Sequence, residues 1–484
     1  MGRILPKKEI KMKTTITAKE LLKAGIPESK AMAIALEIAQ GAINKGQEKE
    51  AILDTIGKAA LTPELYLADE TLGTLADALV AQRDVGIQLL DKPLPYEVYG
   101  REGIEKGALD QINTAMKLPV ARAGALMPDA HQGYGLPIGG VLATENTVIP
   151  YAVGVDIGCR MCLTLYDVPL EHLETRRNDL QKMLVRNTAF GRESFKPKFR
   201  KDDKILESTL FSEIPLLRDL QQKAAQQIGS SGGGNHFVEF GVVEITEEDP
   251  NLGVLPGIYF ALLSHSGSRG LGANIARHYT KIAMDQCRLT AETKHLAWLD
   301  LNTSQGQEYW LAMNLAGDYA SACHHQIHER MAVGLHTSPL VMVENHHNFA
   351  WKETDPEGNE WIVHRKGATP AGKGVLGIIP GSMTDPGYIV RGKGNAISLN
   401  SAAHGAGRAM SRTKAKQTLD ATYVAQHIRD AGVHVIGSGI DEAPMAYKNI
   451  RTVMDAQKDL VDVLGTFTPK IVRMCGDSRF KEAD

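Results

Sequence analysis

The chain has 484 residues, of which 43% are hydrophobic, and a formal net charge of −3. That length accommodates two or three domains, or one large domain with an appendage, and the apolar share excludes a disordered chain. The near-neutral balance excludes an overall pull toward nucleic acid or membrane, so any polyanion site has to be a local patch.

The N-terminal stretch "MGRILPKKEIKMKTT" carries charge without an apolar core and does not read as a secretory signal. Residues 17–90 show apolar positions at three- and four-residue spacing, with Thr17 and Thr62 as caps, and predict helices without visible chemistry. A helical extension over 1–92 followed by a main domain over 93–484 is therefore expected. From about Leu94 the texture changes to short β-branched runs between glycines, and "PIGGVLATENTVIPYAVGVDIGCRMCLTLY" reads as hairpin-connected strands. Helices are expected at about 170–187, 214–228, 272–295 and 307–333, with a polar, mobile surface loop at 191–204. Strand signals return at 338–345, 360–366 and 376–391, and helix signals at 405–430 and 444–463. The mixture predicts an α+β fold of layered sheets flanked by helices. No apolar run is long enough to cross a bilayer. The five cysteines, odd in number and unevenly spaced, fit a reducing, cytoplasmic setting.

Four segments set His, Cys or Asp beside glycine: "VDIGCRM", "SSGGGNHFVEF", "SHSGSRGLG" and "ENHHNFAW". Small neighbours let backbone approach an anion closely. Asp156, Cys159, His236, His265 and one of His346 and His347 make a ligand set suited to one or two divalent metals. Paired ions about 3.5–4 Å apart suit phosphoryl chemistry. The stretch from Pro386 to Leu419 holds no acidic residue but contains Arg391, Lys393, Arg408, Arg412, Lys414 and Lys416 around the uncrowded His404. Other signals carry less. Cys159 and Cys162 form a C-x-x-C that strand alternation sends to opposite faces. His324 and His328 stand one turn apart on an amphipathic helix and read as a solvated face. "GATPAGKG" misses the hydroxyl residue of a phosphate-binding loop, because Gly374 stands there.

Eight motifs in order, "MPDAHQGYGLPIGGV", "VGVDIGC", "GGGNHF", "HSGSRGLG", "HHN", "IIPGSM", "HGAGRAMSRTKAK" and "DEAPMAYK", resemble the RtcB-type RNA ligases from about Leu94 to Gly476. The resemblance implies a catalytic domain over 93–484 that joins an RNA 3′-phosphate or 2′,3′-cyclic phosphate to a 5′-hydroxyl end in tRNA splicing and RNA repair. GTP, two Mn2+ ions and a covalent histidine–GMP intermediate come with it, as do RNA, tRNA among them, and an archease-like activator as partners. His404 is then the nucleophile, Asp129 orients its ring, and Arg408 holds the RNA terminal phosphate. Cys159 bridges the metals, with Asp156 and His236 on one and His265 and His347 on the other. Asn235 meets the GTP phosphates; Phe237, Glu239, Ser382 and Tyr447 line the guanine pocket beside Ala406 and Gly407. Arg269 and the 412–416 cations contact RNA. A metal-dependent cyclic phosphodiesterase of RNA ends and a non-catalytic RNA-end binder are the rival readings. Two departures stand out. Arg160 follows Cys159 where the family commonly has glycine. Cys475 stands where the family usually carries the lysine that reads guanine O6, and a thiol cannot replace that donor; Lys470 and Arg473 are the nearest cations.

Overall fold

The computed structural model describes residues 15–27, 30–83 and 87–476, without the side chains of 81–83. It divides into two compact units, Met1–Gly86 and Ile87–Asp484. The division precedes the boundary expected after residue 92 because Ile87, Leu90 and Leu94 donate backbone hydrogen bonds to Arg288, Lys117 and Met116 of the second unit.

Among the described residues, the first unit holds four α-helices, Ala18–Lys23, Lys30–Asn44, Lys49–Leu61 and Gly73–Arg83. Glu20 accepts from Thr17 N at 3.0 Å and so closes the first helix at its start. Ala31, Ala35 and Ala39 recur every fourth residue along the second helix. Their small side chains form one buried stripe against Leu21, Ile52, Ile56 and Leu75.

The second unit is α+β, as the mixed signals predict. A five-stranded sheet orders Glu97–Val98, Ala121–His131, Ile138–Thr144, Glu360–Lys366 and Asn348–Thr354. A second, eight-stranded sheet runs Leu376–Ile379, Gly387–Gly392, Val461–Met474, Phe237–Ile245, Gly257–Ser266, Arg160–Tyr166 and Pro339–His346, with His434–Ile436 added in parallel to Val461–Met474. Helices Pro215–Gln227, Arg269–Gln286 and Ser304–Leu335 contribute Leu217, Leu220, Ile275, Tyr279, Tyr309 and Tyr319 to the largest apolar cluster.

Several local expectations are corrected. The strands of 137–166 are not hairpin partners: Ile138–Thr144 pairs in the small sheet and Arg160–Tyr166 in the large one, separated by the short helix Pro150–Val153. The helix expected over 405–430 begins only at Arg412 and breaks between Thr418 and Ala421, where Asp420 caps the next helix by accepting from Tyr423 N. Residues 404–411 instead form an irregular, bent segment around the site, in which Gly407 takes a positive φ of 70°. Helix over 444–463 shrinks to Ile450–Asp455, and strand resumes at Val461. The 191–204 loop is braced: Arg330 lies 4.1 Å over the Phe195 ring and donates to Phe199 O at 2.9 Å.

One buried charge joins the small sheet to the His404 segment. Arg365 is fully buried, pairs with Glu353 at 2.5 Å, and donates to Ser401 Oγ and Leu399 O at 2.7 and 2.8 Å. Removing its counter-ion leaves a charge in low dielectric. Glu353→Ala is expected to destabilise the protein by about 2–3 kcal/mol, the low end of that effect because Glu353 keeps some exposure, measured by urea unfolding.

Candidate metal and nucleotide site

Antiparallel pairing decides where the polar motifs meet. Phe237–Ile245 pairs antiparallel with Gly257–Ser266, which pairs antiparallel with Arg160–Tyr166, which pairs antiparallel with Pro339–His346. The first and third strands therefore start at the rim where the second and fourth end. His236 precedes the first, His265 lies near the end of the second, Cys159 precedes the third, and His347 follows the fourth. Segments far apart in sequence thus converge on one rim, closed by His347 N donating to Cys159 O at 2.9 Å.

At that rim Cys159 Sγ lies 3.3 Å from His236 Nε2 and 3.2 Å from His265 Nε2, and His265 Nε2 lies 3.2 Å from His347 Nε2. Asp156 Oδ2 is 3.2 Å from His236 Nε2, and Asp156 Oδ1 accepts from Ser268 N at 3.0 Å. His265 Nδ1 faces the Asn235 carbonyl at 3.2 Å, so it carries the proton and leaves Nε2 a bare lone pair toward the thiol. Ligands about 2.0–2.1 Å from one tetrahedral ion stand about 3.4 Å from each other, and these separations match. Burial pushes the His265 and His347 imidazoles well below their usual value, keeping them neutral donors. Burial would push the Asp156 carboxyl up, but the His236 hydrogen bond and neighbouring positive charge outweigh it and hold the group below its usual range. Three imidazoles, two of them held neutral, with a thiol and a carboxylate converging in this way fit a cation. Asp156, Cys159, His236, His265 and His347 are the side chains that would hold it. His346, by contrast, turns away to stack on Trp351 at 4.9 Å.

All five of these donors line a single cleft. The same cleft is lined by Asn235, Phe237, Glu239, Ser382, His404, Ala406, Gly407, Arg408 and Tyr447. Asp129 stands behind it, fully buried on the strand Ala121–His131. Its Oδ2 accepts from both His404 N at 3.1 Å and His404 Nδ1 at 2.6 Å. In the neutral ring, a carboxylate partner at Nδ1 places the proton on that nitrogen and leaves Nε2, pointing away from Asp129, with its lone pair. The His404 ring lies 4.9 Å from that of His347. Burial pushes the Glu239 carboxyl well up, in a pocket shared with Phe467, Val472, Met383 and Met474.

The cations divide. Arg408 lines the cleft, 5.3 Å over the Tyr447 ring, and donates to the Asp441 carbonyl at 2.6 Å. Glu442 pairs with Arg408 at 3.4 Å and also with Arg412, and Lys416 reaches Asp441 at 3.4 Å. Arg269, expected at RNA phosphate, is instead buried and donates to Gly191 O at 2.6 Å and Ser230 Oγ at 3.2 Å. Arg473 donates to the carbonyls of Leu184, Val185 and Thr188, outside the cleft lining, and Lys470 is not among the lining residues either. Neither cation occupies the end of the pocket that Met474 fills.

The solvated face expected for His324 and His328 is the clearest reversal. Both are fully buried beside Cys162, on the side of the large sheet opposite the cleft. His324 Nε2 meets the Ser266 carbonyl at 3.2 Å and must donate there, so its Nδ1 accepts from Ser264 Oγ at 2.6 Å. Ser264 Oγ in turn accepts from His328 Nε2 at 2.7 Å, and His328 Nδ1 accepts from Thr164 Oγ1 at 2.6 Å. All four ring nitrogens are used, so a metal there would have to break this chain. Arg160 points to the same side, donating to Gly317 O at 2.7 Å and pairing with Glu344 at 3.2 Å. It adds no bulk to the cleft.

Sequence reasoning assigned no role to His131, Lys366, Asn348, Asp441 or Glu442. His131 offers a signal in retrospect: it follows Asp129 by two, on the same strand, and lines the cleft. For Lys366 the sequence offers none.

The family model described as "tRNA-splicing ligase RtcB" matches residues 111–213 and 215–474. The RNA-splicing ligase RtcB of Escherichia coli K12 is 34% identical over 424 residues, covering 80% of this chain and 97% of the relative. The tRNA-splicing ligase RtcB of Aeropyrum pernix is 30% identical over 420 residues, covering 72% and 87%. The RNA-splicing ligase RtcB of Mycobacterium bovis is 30% identical over 412 residues, covering 71% and 94%. An α+β scaffold with a Cys/His cluster opposite a carboxylate-held histidine is thus matched along most of its length to RNA-joining enzymes. The chain belongs to the RtcB family, as its motifs suggest.

Gly407 allows the closest backbone approach in the site. A Cβ there would stand 2.0 Å from the Asp129 carbonyl oxygen, at a φ that side chains rarely adopt. Gly407→Ala is expected to lower stability by about 2 kcal/mol or more, read as a fall in the urea midpoint.

Proposed function

We propose that the protein is a GTP- and manganese-dependent RNA ligase that joins 3′-phosphate or 2′,3′-cyclic phosphate ends to 5′-hydroxyl ends through a nucleotide carried on His404. The observation that carries this reading is the Asp129–His404 pair at 2.6 Å, beside the Cys159/His236/His265/His347 cluster.

His404 Nε2 attacks the α-phosphorus of GTP, a phosphorus–nitrogen bond forms, and pyrophosphate leaves. Asp129 contributes by fixing the ring and its tautomer, and by keeping the second nitrogen's lone pair aimed into the cleft. The flanking Gly405 and Ala403 leave the approach uncrowded. Water opens a cyclic end to a 3′-phosphate. GMP then passes from His404 to that phosphate, and the RNA 5′-hydroxyl displaces GMP to leave a phosphodiester. Arg408 presents a forked donor for the terminal phosphate, with Arg412 and Lys416 as further phosphate contacts once they exchange Asp441 and Glu442 for RNA. A divalent ion held by Asp156, Cys159, His236, His265 and His347 supplies charge neutralisation for the phosphoryl oxygens. Manganese is the family's expectation, since a thiolate and imidazoles alone would favour zinc. Asn235 faces the nucleotide phosphates, and Phe237, Glu239, Ser382, Ala406, Gly407 and Tyr447 enclose the base. The RNA substrate includes tRNA by analogy with the relatives' names, with an archease-like protein as activator, and cytoplasmic action follows the free cysteines. Among the described residues no helix is long and apolar enough to cross a membrane.

Mass spectrometry after incubation with GTP, and separately ATP, in manganese is expected to show a GMP adduct on the wild type and none on His404→Ala. Asp129→Asn is expected to slow adduct formation by about a hundredfold or more. An ATP-derived adduct in place of the GMP adduct would show that base choice changed with Cys475; no adduct from either nucleotide would end the proposal. Cys159→Ser is expected to weaken metal binding by at least about tenfold, by the strength of a lost ligand, measured by calorimetric titration with Mn2+ after chelator treatment.

A further inference from the structure

The turn 132–137, between the strands Ala121–His131 and Ile138–Thr144, carries an exposed aromatic ring with no part in holding metal or nucleotide. Its backbone is pinned from two sides. Gln132 N donates to Glu105 at 2.6 Å, and the Gln111 amide accepts from Gly133 N at 3.0 Å and donates to Gly133 O at 2.6 Å. Gly135 has a φ of 68°, and a Cβ there would stand 2.8 Å from the His295 carbonyl oxygen, so the turn lies tight against that segment. On this braced backbone Tyr134 is 57% exposed. A large ring held out by a fixed turn is an unsatisfied apolar face with little conformational entropy left to lose on contact.

Two more rings back it. Tyr134 lies 5.7 Å from His295 and 6.2 Å from Tyr151, and Tyr151 and His295 are 4.8 Å apart. Lys366 links the trio to the site. It lines the cleft beside Gly367 and His404, donates to the Tyr134 carbonyl at 2.7 Å, and sits 5.0 Å over the Tyr151 ring. Burial, with the charges of Lys294 and Lys366, holds the His295 imidazole below its usual value, so at neutral pH it offers a ring face and not a cation.

We propose that Tyr134, backed by His295 and Tyr151, is a stacking platform for the nucleobase adjoining the RNA end bound in the cleft. The choice of RNA rests on the ligase reading. Single-stranded ends have unstacked bases, and an aromatic face accepts any of them, which makes the platform sequence-tolerant. An open ring next to a phosphate-handling cleft fits a base better than a buried side-chain anchor, which needs an enclosing pocket.

The test uses the full chain with manganese, no nucleoside triphosphate, and short single-stranded RNAs carrying 2-aminopurine. One RNA places the probe at a 3′-phosphorylated terminal nucleotide, the other at a 5′-hydroxyl terminal nucleotide; quenching by stacking reports which end the platform serves. Wild type is expected to quench one probe. Tyr134→Ala is expected to lose the quenching and about tenfold in affinity, the ordinary strength of base–aromatic stacking, while Tyr134→Trp keeps both. Tyr134→Leu, with apolar bulk but no ring, is expected to behave as Ala does, and it carries the test if the Ala variant misfolds. Unquenched probes with wild type, or a Leu variant that binds as tightly as wild type, would overturn the platform. Nucleotide transfer to His404 is read separately on wild type without RNA. Quenching without an adduct removes the ligase reading alone, and an adduct without quenching removes the platform alone.

Discussion

Antiparallel register in the large sheet governs everything at the site. Side chains alternate between the two faces of a strand, so a shift of one residue exchanges them. On Gly257–Ser266 the residue facing the cysteine is His265, while Ser264 and Ser266 face the opposite layer. A one-residue slip would put a serine hydroxyl at the rim where the Cys/His cluster lies and bury the imidazole behind the sheet. The pairing of His265 with Phe237 on one side and Met161 on the other therefore defines the cluster as much as the donor types do.

The layer behind the sheet helps to enforce that register. Thr164, His328, Ser264, His324 and the Ser266 carbonyl form a one-directional chain in which each donor has one acceptor. Such a chain tolerates no slip, because moving one strand leaves buried polar groups without partners, at about 1–3 kcal/mol for each. Burial pushes His324 down to about 3 and His328 well below its usual value, so both remain neutral. Arg160 belongs to this same layer through Glu344 and Gly317, which is how a cation can follow the cysteine of the cleft cluster in sequence and yet face away from it.

At the cleft mouth, a stretch of sequence without acids is not a surface without acids. Arg408, Arg412 and Lys416 meet Asp441 and Glu442, brought in from the "DEAP" segment. The carboxylates hold long, flexible cations in defined positions, and the Tyr447 hydroxyl donates to Glu442 in the same network. The cationic run marked the right region but not its net field, because the field depends on what another part of the chain folds against it.

The sequence by itself determined the α+β class, the helical N-terminal unit, and which glycine-flanked motifs come together around one cleft. Those signals are local: apolar spacing sets helix or strand, and a histidine between Ala and Gly is visible without knowing its neighbours. Choosing His347 over His346 was also legible through the motif. Only the tertiary structure decided which side of each element faces what. His324 and His328 have helical spacing that suits a solvated face equally well; a sheet packed against that face buried them. Arg269 stands in a site motif, but its guanidinium found the Gly191 carbonyl, and the helix expected across 405–411 yielded to the close approach of Gly407 to Asp129. These outcomes depend on contacts between residues far apart in the chain, and no periodicity within a short window carries that information.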